Sequence, residues 1–132
     1  MHKAKQISDE NNPITSAIIG AAIEVHKHLG PGLLESAYEQ CLCHELSIRK
    51  LPFDCQLSMP VEYKGVKLDC GYRLDLLVSD EVIVELKAVE FINEIHKAQV
   101  LTYLRLAKKK IALIINFNVP YLRDGIIRLV QD

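Results

Sequence analysis

Asp75, Glu85 and Lys87 have residue types and a spacing that could support phosphate chemistry. A turn centred on Asp80 would place Asp75 opposite Glu85 on two antiparallel strands, with their Cβ atoms about 4.5–5.5 Å apart. Lys87 lies two residues beyond Glu85, so it would share that face of the sheet, together with Arg73. The pattern therefore predicts two carboxylates and two cations on one face.

Two carboxylates at that separation repel each other unless a cation lies between them. Oxygen donors of this kind suit Mg²⁺ or Mn²⁺, and a neighbouring lysine can hold a water or stabilise charge on a phosphate oxygen. The alternative is a solvated cross-strand charge cluster. Residues 82–89 are nearly all apolar, as in a strand covered on both faces, where an unpaired Glu85 or Lys87 would be costly. Spacing alone leaves both interpretations open.

Two further segments contain candidate functional residues. Glu35 and Tyr38 lie in the segment Gly32-Leu33-Leu34-Glu35-Ser36-Ala37-Tyr38. Taken singly, Glu35 is an acid favoured by the dipole of a helix start, and Tyr38 is a core aromatic residue. Gln99 and Tyr103 are four residues apart and would share one side of a helix, where the simplest interpretation is a polar surface row.

The elements that must position these residues follow from hydrophobic periodicity and from breaker residues. Asn12-Pro13 predicts the start of a helix that ends at Gly30-Pro31-Gly32, and Pro52 ends a second helix. Strict alternation over 66–78 predicts one strand with an apolar face, preceded by a hairpin turn at Lys64-Gly65. The predicted elements are helices over about 13–29, 33–49 and 93–109, strands over 53–63, 66–78, 82–89 and 111–117, and a short closing element over 125–130. This order predicts an α/β (or α+β) fold with a mixed sheet.

Length and composition limit the classes of protein. The 132 residues suffice for one domain, which we place at 12–132 after a loose polar leader at 1–11. A formal net charge of −1 excludes a strongly basic, histone-like DNA binder, but not an enzyme with a local basic surface. Without a membrane-length apolar stretch or a signal peptide, the expected location is cytoplasmic. The four cysteines lack metal-site spacing and are expected to be reduced thiols packed as small apolar groups.

The ordered set of Asp75, nine intervening residues, Glu85-Leu86-Lys87 and a helix carrying Gln99 resembles the PD-(D/E)XK nuclease superfamily. Gly32-x-x-Glu35-x-x-Tyr38 resembles the signature of the small bacterial GxxExxY proteins, which are grouped with that superfamily. Phrases such as Ile83-Val84-Glu85-Leu86-Lys87-Ala88-Val89 and Ile115-Asn116-Phe117 extend the resemblance over about residues 14–130. The superfamily's first acid usually follows a proline, whereas Asp75 follows Leu74.

The resemblance implies a restriction-endonuclease-like core, with a central mixed sheet of about four or five strands flanked by helices. It implies that Asp75 and Glu85 are ligands of Mg²⁺ or Mn²⁺, with the Leu86 carbonyl and Glu35 as further ligands. It also implies that Lys87 positions or activates the hydrolytic water and that Gln99 contacts a substrate phosphate or an ordered water. By position, Tyr38 and Tyr103 would pack helices onto the sheet.

The function implied by the resemblance is metal-assisted hydrolysis of nucleic acid, with DNA favoured over RNA. Basic residues that could contact phosphates are available at a hairpin, within the predicted strand 66–78 and at a helix end: Lys64, Lys67, Arg73, Arg105 and Lys108. No exposed interleaving of aromatic and basic residues indicates single-strand stacking. The alternative is a catalytically inactive module with the nuclease fold, used for nucleic-acid binding or protein assembly. A homodimer and an unknown protein partner also remain open.

Overall fold

The computed structural model describes residues 2–5 and 12–131, which form a six-stranded sheet, a separate two-stranded hairpin and three α-helices. The helices are α1 (Pro13–Leu29), α2 (Glu35–Ile48) and α3 (Glu94–Ala107). The strands are β1 (His2–Lys5), β2 (Phe53–Ser58), β3 (Val61–Tyr63), β4 (Val66–Leu68), β5 (Arg73–Val78), β6 (Val82–Lys87), β7 (Ile111–Asn116) and β8 (Ile126–Gln131). A short 3₁₀ helix, Leu122–Gly125, precedes β8.

The large sheet is mixed, with strand order β1-β8-β7-β6-β5-β2. Only β6 and β7 pair in parallel among the described strands of this sheet, and α3 supplies the crossover that a parallel pair requires. β6 and β7 are interior strands with buried, almost continuously apolar sequences, as expected where helices cover both faces. This architecture confirms the predicted α+β class and is consistent with a restriction-endonuclease-like core.

Two hydrophobic clusters lie on opposite faces of the sheet. On one face, α1 and α2 pack against residues such as Leu76, Val84 and Leu86. On the other face, α3 packs against residues such as Leu77 and Ile83. Because helices cover both faces of the sheet, neither face of β6 is open to solvent, and a charged side chain on this strand is at least partly buried.

The helix starts follow the predicted capping chemistry. The Asn12 side-chain oxygen accepts the backbone N–H groups of Ile14 (2.8 Å) and Thr15 (3.2 Å), and Pro13 is the first residue of α1. Gly30, with φ 68°, ends that helix. These contacts confirm the predicted bounds of α1 and fix where the loop toward α2 begins.

The predicted single strand over 66–78 is wrong. β4 pairs only with β3, and a turn separates it from β5. In that turn the Asp69 carboxylate accepts the N–H of Gly71, whose φ of 81° favours glycine. The predicted strand over 53–63 is also divided, at Met59-Pro60, where proline supplies no N–H for a ladder. The strand is therefore interrupted by a local turn at 69–72, and periodicity does not detect it because the apolar alternation continues through it.

The edge of the sheet and the thiols also differ from expectation. Within the predicted leader, β1 pairs antiparallel with β8, while residues 1 and 6–11 lie outside the described residues. All four cysteines are free, but three of them are exposed, so packing as small apolar groups is wrong for Cys41, Cys55 and Cys70. No helix among the described residues is long and apolar enough to cross a membrane.

Candidate functional site

Asp75 and Glu85 meet where the β5–β6 ladder ends. The strands pair at Val78 with Val82, Leu77 with Ile83 and Leu76 with Val84, which confirms the register predicted from a turn at Asp80. Beyond that point side chains replace backbone partners. The Asp75 N–H donates to Glu85 Oε2 at 3.1 Å, and the Leu86 N–H donates to Asp75 Oδ2 at 2.9 Å. Both carboxylates therefore lie in the gap between the two strands.

The Leu86 carbonyl faces the same gap. In a β-strand the N–H and C=O of one residue point toward the same neighbouring strand. Because the Leu86 N–H reaches the Asp75 carboxylate, the Leu86 carbonyl oxygen points toward β5 as well. Two carboxylates and one carbonyl thus converge on one place.

Burial makes the carboxylate pair unfavourable without a counter-charge. Glu85 is 5% exposed. Its burial, followed by the nearby Asp75 carboxylate, raises the pKa of Glu85 to about 9. The interpretation of these acids as a solvated surface cluster is wrong for Glu85, because its side chain lies inside the fold.

The donor set fits a hard divalent cation. Among the described residues no group of three or more His, Cys, Asp or Glu side chains is placed to hold a metal ion. Mg²⁺, however, is commonly held by one or two carboxylates, with waters and substrate phosphate completing its octahedron. Asp75, Glu85 and the Leu86 carbonyl supply such a partial set, and a cation would favour the ionised form of Glu85, which burial and then the Asp75 charge disfavour.

Helix α2 brings Glu35 to the same site. Glu35 is the first residue of α2, and its pKa is raised by partial desolvation, then by the Asp75 charge, with Lys87 acting in the opposite direction. Glu35, Asp75 and Lys87 are therefore close enough to interact electrostatically. Lys87 is half-buried at the end of β6 and also interacts with the charge of Glu85.

Sequence reasoning missed two residues next to this set, Glu39 and Gln56. The Gln56 amide donates to Glu39 Oε1 (2.9 Å) and Oε2 (3.1 Å), and its nitrogen is 3.5 Å from Asp75 Oδ1. Glu39 could have been found, because it lies one turn after Glu35 on the same side of α2. Gln56 could not be found from the sequence, because it lies opposite Asp75 only once β2 pairs with β5. Its backbone is also left-handed, with a φ of 51° that a strand pattern does not predict.

The sequence matches a known protein family over most of its length. A family model described as the PD-(D/E)XK nuclease superfamily matches residues 12–129. The chain belongs to the PD-(D/E)XK nuclease superfamily. Searches of the curated proteins and of the solved structures find no match. Membership indicates a nuclease-type function and interaction with nucleic acid, and nucleases of this superfamily typically use divalent metal ions.

In this superfamily member, Tyr38 fixes the loop that leads to Glu35. The Tyr38 ring is fully buried and stacks on Phe117, with 4.4 Å between centroids and 8° between planes. Its hydroxyl donates to the Gly30 carbonyl at 2.6 Å and accepts the Leu33 N–H at 3.1 Å. Tyr38 therefore packs α2 onto the sheet and also determines where α2 begins.

Helix α3 approaches the Asp75–Glu85 pair from the other face of the sheet. Tyr103 is 5% exposed, and its pKa is raised by burial and then by the charge of Glu85. The exposed Gln99 side chain interacts with Tyr103, which in turn is close enough to Glu85 and Asp75 for their charges to raise its pKa. Tyr72 packs against Tyr103 with 6.2 Å between ring centroids.

The predicted phosphate-contacting residues fall into two groups. Lys67, Arg105 and Lys108 line one groove of about 450 Å³ between the β3–β4 hairpin and the end of α3. Lys64 and Arg73 are exposed on the hairpin tip and at the start of β5. Lys109 lines the same groove, but its ammonium donates to the Asp80 carbonyl (3.0 Å) and carboxylate (3.1 Å), which ties α3 to the β5–β6 turn.

Proposed function

We propose that this superfamily member is a Mg²⁺- or Mn²⁺-dependent nuclease that hydrolyses phosphodiester bonds, with DNA as the favoured substrate. The observation that carries the proposal is the carboxylate pair of Asp75 and Glu85 inserted between β5 and β6, with Lys87 two residues further along β6. Glu85 is buried beside a second carboxylate, and ionising it there without a bound cation is costly, which supports a cation-binding role.

The residues divide into ligands and positioning groups. Asp75, Glu85 and the Leu86 carbonyl would hold the cation, and Glu35 would add a further oxygen from the start of α2. When bound, the cation stabilises negative charge on the phosphate oxygens during in-line attack by water. Lys87 carries its ammonium beside the acids, where it can hold the attacking water or a phosphate oxygen. Gln99 can orient a phosphate or a water from the α3 side.

The decisive experiment combines metal titration with a cleavage panel. Calorimetry with Mg²⁺ and Mn²⁺ is carried out on the wild type, Glu85→Gln and the matched control Glu90→Gln, whose carboxylate is exposed outside the site. Each protein is then incubated with single-stranded, double-stranded and branched DNA and with RNA. We expect binding and cleavage by the wild type and by Glu90→Gln, and loss of both in Glu85→Gln.

A Lys87→Met variant separates chemistry from metal binding. Because Lys87 supplies a hydrogen-bond donor and not a ligand, we expect metal affinity to persist while cleavage falls by about 100-fold or more. If the wild type binds neither ion and cleaves no member of the panel, the proposal is wrong.

A second candidate function is a nucleic-acid-binding or assembly module that lacks turnover. The specific observation in its favour is that both carboxylates already accept backbone N–H groups, so the gap is partly satisfied without a metal. This function predicts salt-dependent nucleic-acid binding that is unchanged in Glu85→Gln and is not followed by cleavage in either ion.

A further inference from the structure

Tyr72 is an exposed aromatic residue near the carboxylate pair. Its side chain is 45% exposed and lies three residues before Asp75. Its ring meets that of Tyr103 edge-on, with 62° between planes, and Tyr103 is close enough to Glu85 and Asp75 to sense their charges. Tyr72 therefore lies at the surface near the site and packs on one side against Tyr103.

The backbone around Tyr72 is fixed. The Tyr72 carbonyl accepts the Met59 N–H at 2.9 Å, which continues the β2–β5 pairing by one residue. The preceding turn is closed by the bond from the Gly71 N–H to the Asp69 carboxylate at 3.0 Å. A side chain that is held in place before a ligand arrives loses little conformational freedom on binding.

Exposed aromatic and basic residues occur together in the segment that includes Tyr72. Tyr63, on the hairpin, is 61% exposed, and the Lys64 ammonium lies 5.4 Å from its ring centroid. Lys67 and Arg73 are exposed on the same 63–73 segment. Two acids reduce the positive charge, since Glu62 faces Lys67 across the hairpin and Asp69 closes the turn, and the excess of cations over acids is small. The expectation of no exposed aromatic residues interleaved with basic ones is wrong here, because Tyr63 is exposed on the hairpin and the break at 69–72 exposes Tyr72.

These observations favour a strand with unpaired bases. An aromatic ring can stack on a base only where the base exposes a face, and bases in an intact duplex stack on each other. Stacking rings combined with nearby cations are typical of surfaces that bind single strands. The net charge of −1 makes ring stacking more important here, because long-range attraction of phosphates is weak.

We propose that Tyr72 is the stacking platform for an unpaired nucleotide next to the Asp75–Glu85 site, with Tyr63 as a second ring along the strand. The substrate class is then single-stranded nucleic acid, or a duplex with an unpaired segment, and not an intact duplex. The inference rests on the proposed nuclease function and specifies the substrate of that same site.

The chain contains no tryptophan, so a single introduced indole reports on one position. Tyr72→Trp is compared with Tyr121→Trp, a matched control whose tyrosine is 75% exposed next to the 3₁₀ helix. Fluorescence is measured in EDTA, which prevents cleavage, as an oligo-dT strand or a blunt duplex is added. We expect quenching of Tyr72→Trp by the single strand, little quenching by the duplex, and little quenching of Tyr121→Trp by either.

Affinity measurements separate stacking from packing. Tyr72→Phe keeps the ring, whereas Tyr72→Leu keeps only apolar contact with Tyr103. By fluorescence anisotropy in EDTA we expect single-strand affinity to fall about tenfold in Tyr72→Leu and to be retained in Tyr72→Phe, with duplex affinity unchanged in both. Thermal unfolding followed by circular dichroism verifies that both variants fold.

The outcomes distinguish this inference from the proposed function. If Tyr72→Leu binds single strands as tightly as Tyr72→Phe does, or if Tyr121→Trp is quenched equally, the stacking platform is refuted even when the wild type cleaves with Mg²⁺. If Tyr72→Trp is quenched selectively and no metal supports cleavage, the platform stands and the nuclease proposal is wrong.

Discussion

At the scale of single residues, the central feature is that two carboxylates take the place of backbone partners between β5 and β6. Asp75 accepts the Leu86 N–H and Glu85 accepts the Asp75 N–H, so the strands separate without leaving these donors unpaired. The same arrangement holds two acids together inside the protein. Burial and the Asp75 charge then favour the protonated form of Glu85, which raises its pKa to about 9.

This raised pKa predicts a pH-dependent stability. Between the unfolded pKa near 4.5 and the folded value of about 9, the folded protein keeps a proton on Glu85 that the unfolded chain releases. The contribution of Glu85 to the free energy of unfolding is therefore fully present below pH 4.5. It is lost progressively as the pH rises from 4.5 to about 9. We expect Glu85→Gln, measured by urea denaturation in EDTA, to raise the free energy of unfolding at pH 8 by at least about 1.4 kcal/mol, the equivalent of one pKa unit.

The control for this prediction is the same measurement at pH 5. At pH 5 the folded wild type and the Gln variant are both neutral at this position, so we expect a much smaller difference in the free energy of unfolding. Glu90→Gln, in an exposed position, should change little at either pH. A Glu85→Gln effect of equal size at pH 5 and pH 8 would show that ionisation is not its cause.

At the scale of elements, local signals predicted the parts of the site that lie close together along the chain. The turn at Asp80 determined which residues of β5 and β6 face each other, and the folded register agrees with it. Asn12 and Gly30 marked the two ends of α1. Each of these features depends on only a few neighbouring residues, so the local sequence is enough to predict it.

Features that depend on distant residues were not predictable in this way. Gln56 meets Asp75 because β2 pairs with β5, and α2 then brings Glu39 to the same amide. The division of 66–78 was missed for a different reason: the turn closed by Asp69 and Gly71 is local, but the alternation of apolar residues continues through it and conceals it. The exposure of Tyr72 was missed for that reason.

The loop before α2 provides a test at this scale. Tyr38→Phe removes one hydroxyl that donates to Gly30 and accepts from Leu33, while the stack on Phe117 remains. Because the freed carbonyl and N–H are partly buried, we expect a loss of about 1–3 kcal/mol in the free energy of unfolding, measured by urea denaturation. We also expect weaker Mg²⁺ binding, because the start of α2 and Glu35 lose a fixed position.

Tyr121→Phe is the matched control for Tyr38→Phe, because its hydroxyl belongs to an exposed side chain. This control should leave both stability and metal affinity unchanged. Unaltered metal affinity in a destabilised Tyr38→Phe variant would separate the loop from the site, and Glu35 would then not depend on the Tyr38 hydroxyl.

At the scale of the whole molecule, charge is distributed unevenly. The net charge of −1 gives no general attraction for phosphates, so nucleic acid must be held by a local surface. The groove between the hairpin and the end of α3 contains Lys67, Arg105 and Lys108, with Glu62 as an acid in its lining. A second cleft, with Lys27 and Arg123 in its lining, lies between the end of α1 and the 3₁₀ helix.

The salt dependence of binding can decide which of these surfaces contacts the substrate. Each phosphate contact to a single strand contributes about −0.7 to the slope of log K against log salt. Replacing Lys67, Arg105 and Lys108 together by Gln removes three cations from the groove, so we expect the slope for oligo-dT binding in EDTA to become shallower by about 2.

The double variant Lys27→Gln/Arg123→Gln is the control at the second cleft and should leave the slope unchanged. If the slope becomes shallower only in that control, the phosphates are bound at the second cleft and not in the groove. An unchanged slope in both would mean that phosphates are contacted outside both surfaces, with Lys64 and Arg73 as the next residues to replace. In each case the slope counts contacts, whereas the Tyr72 variants change affinity at constant slope, so phosphate binding and base stacking are measured separately.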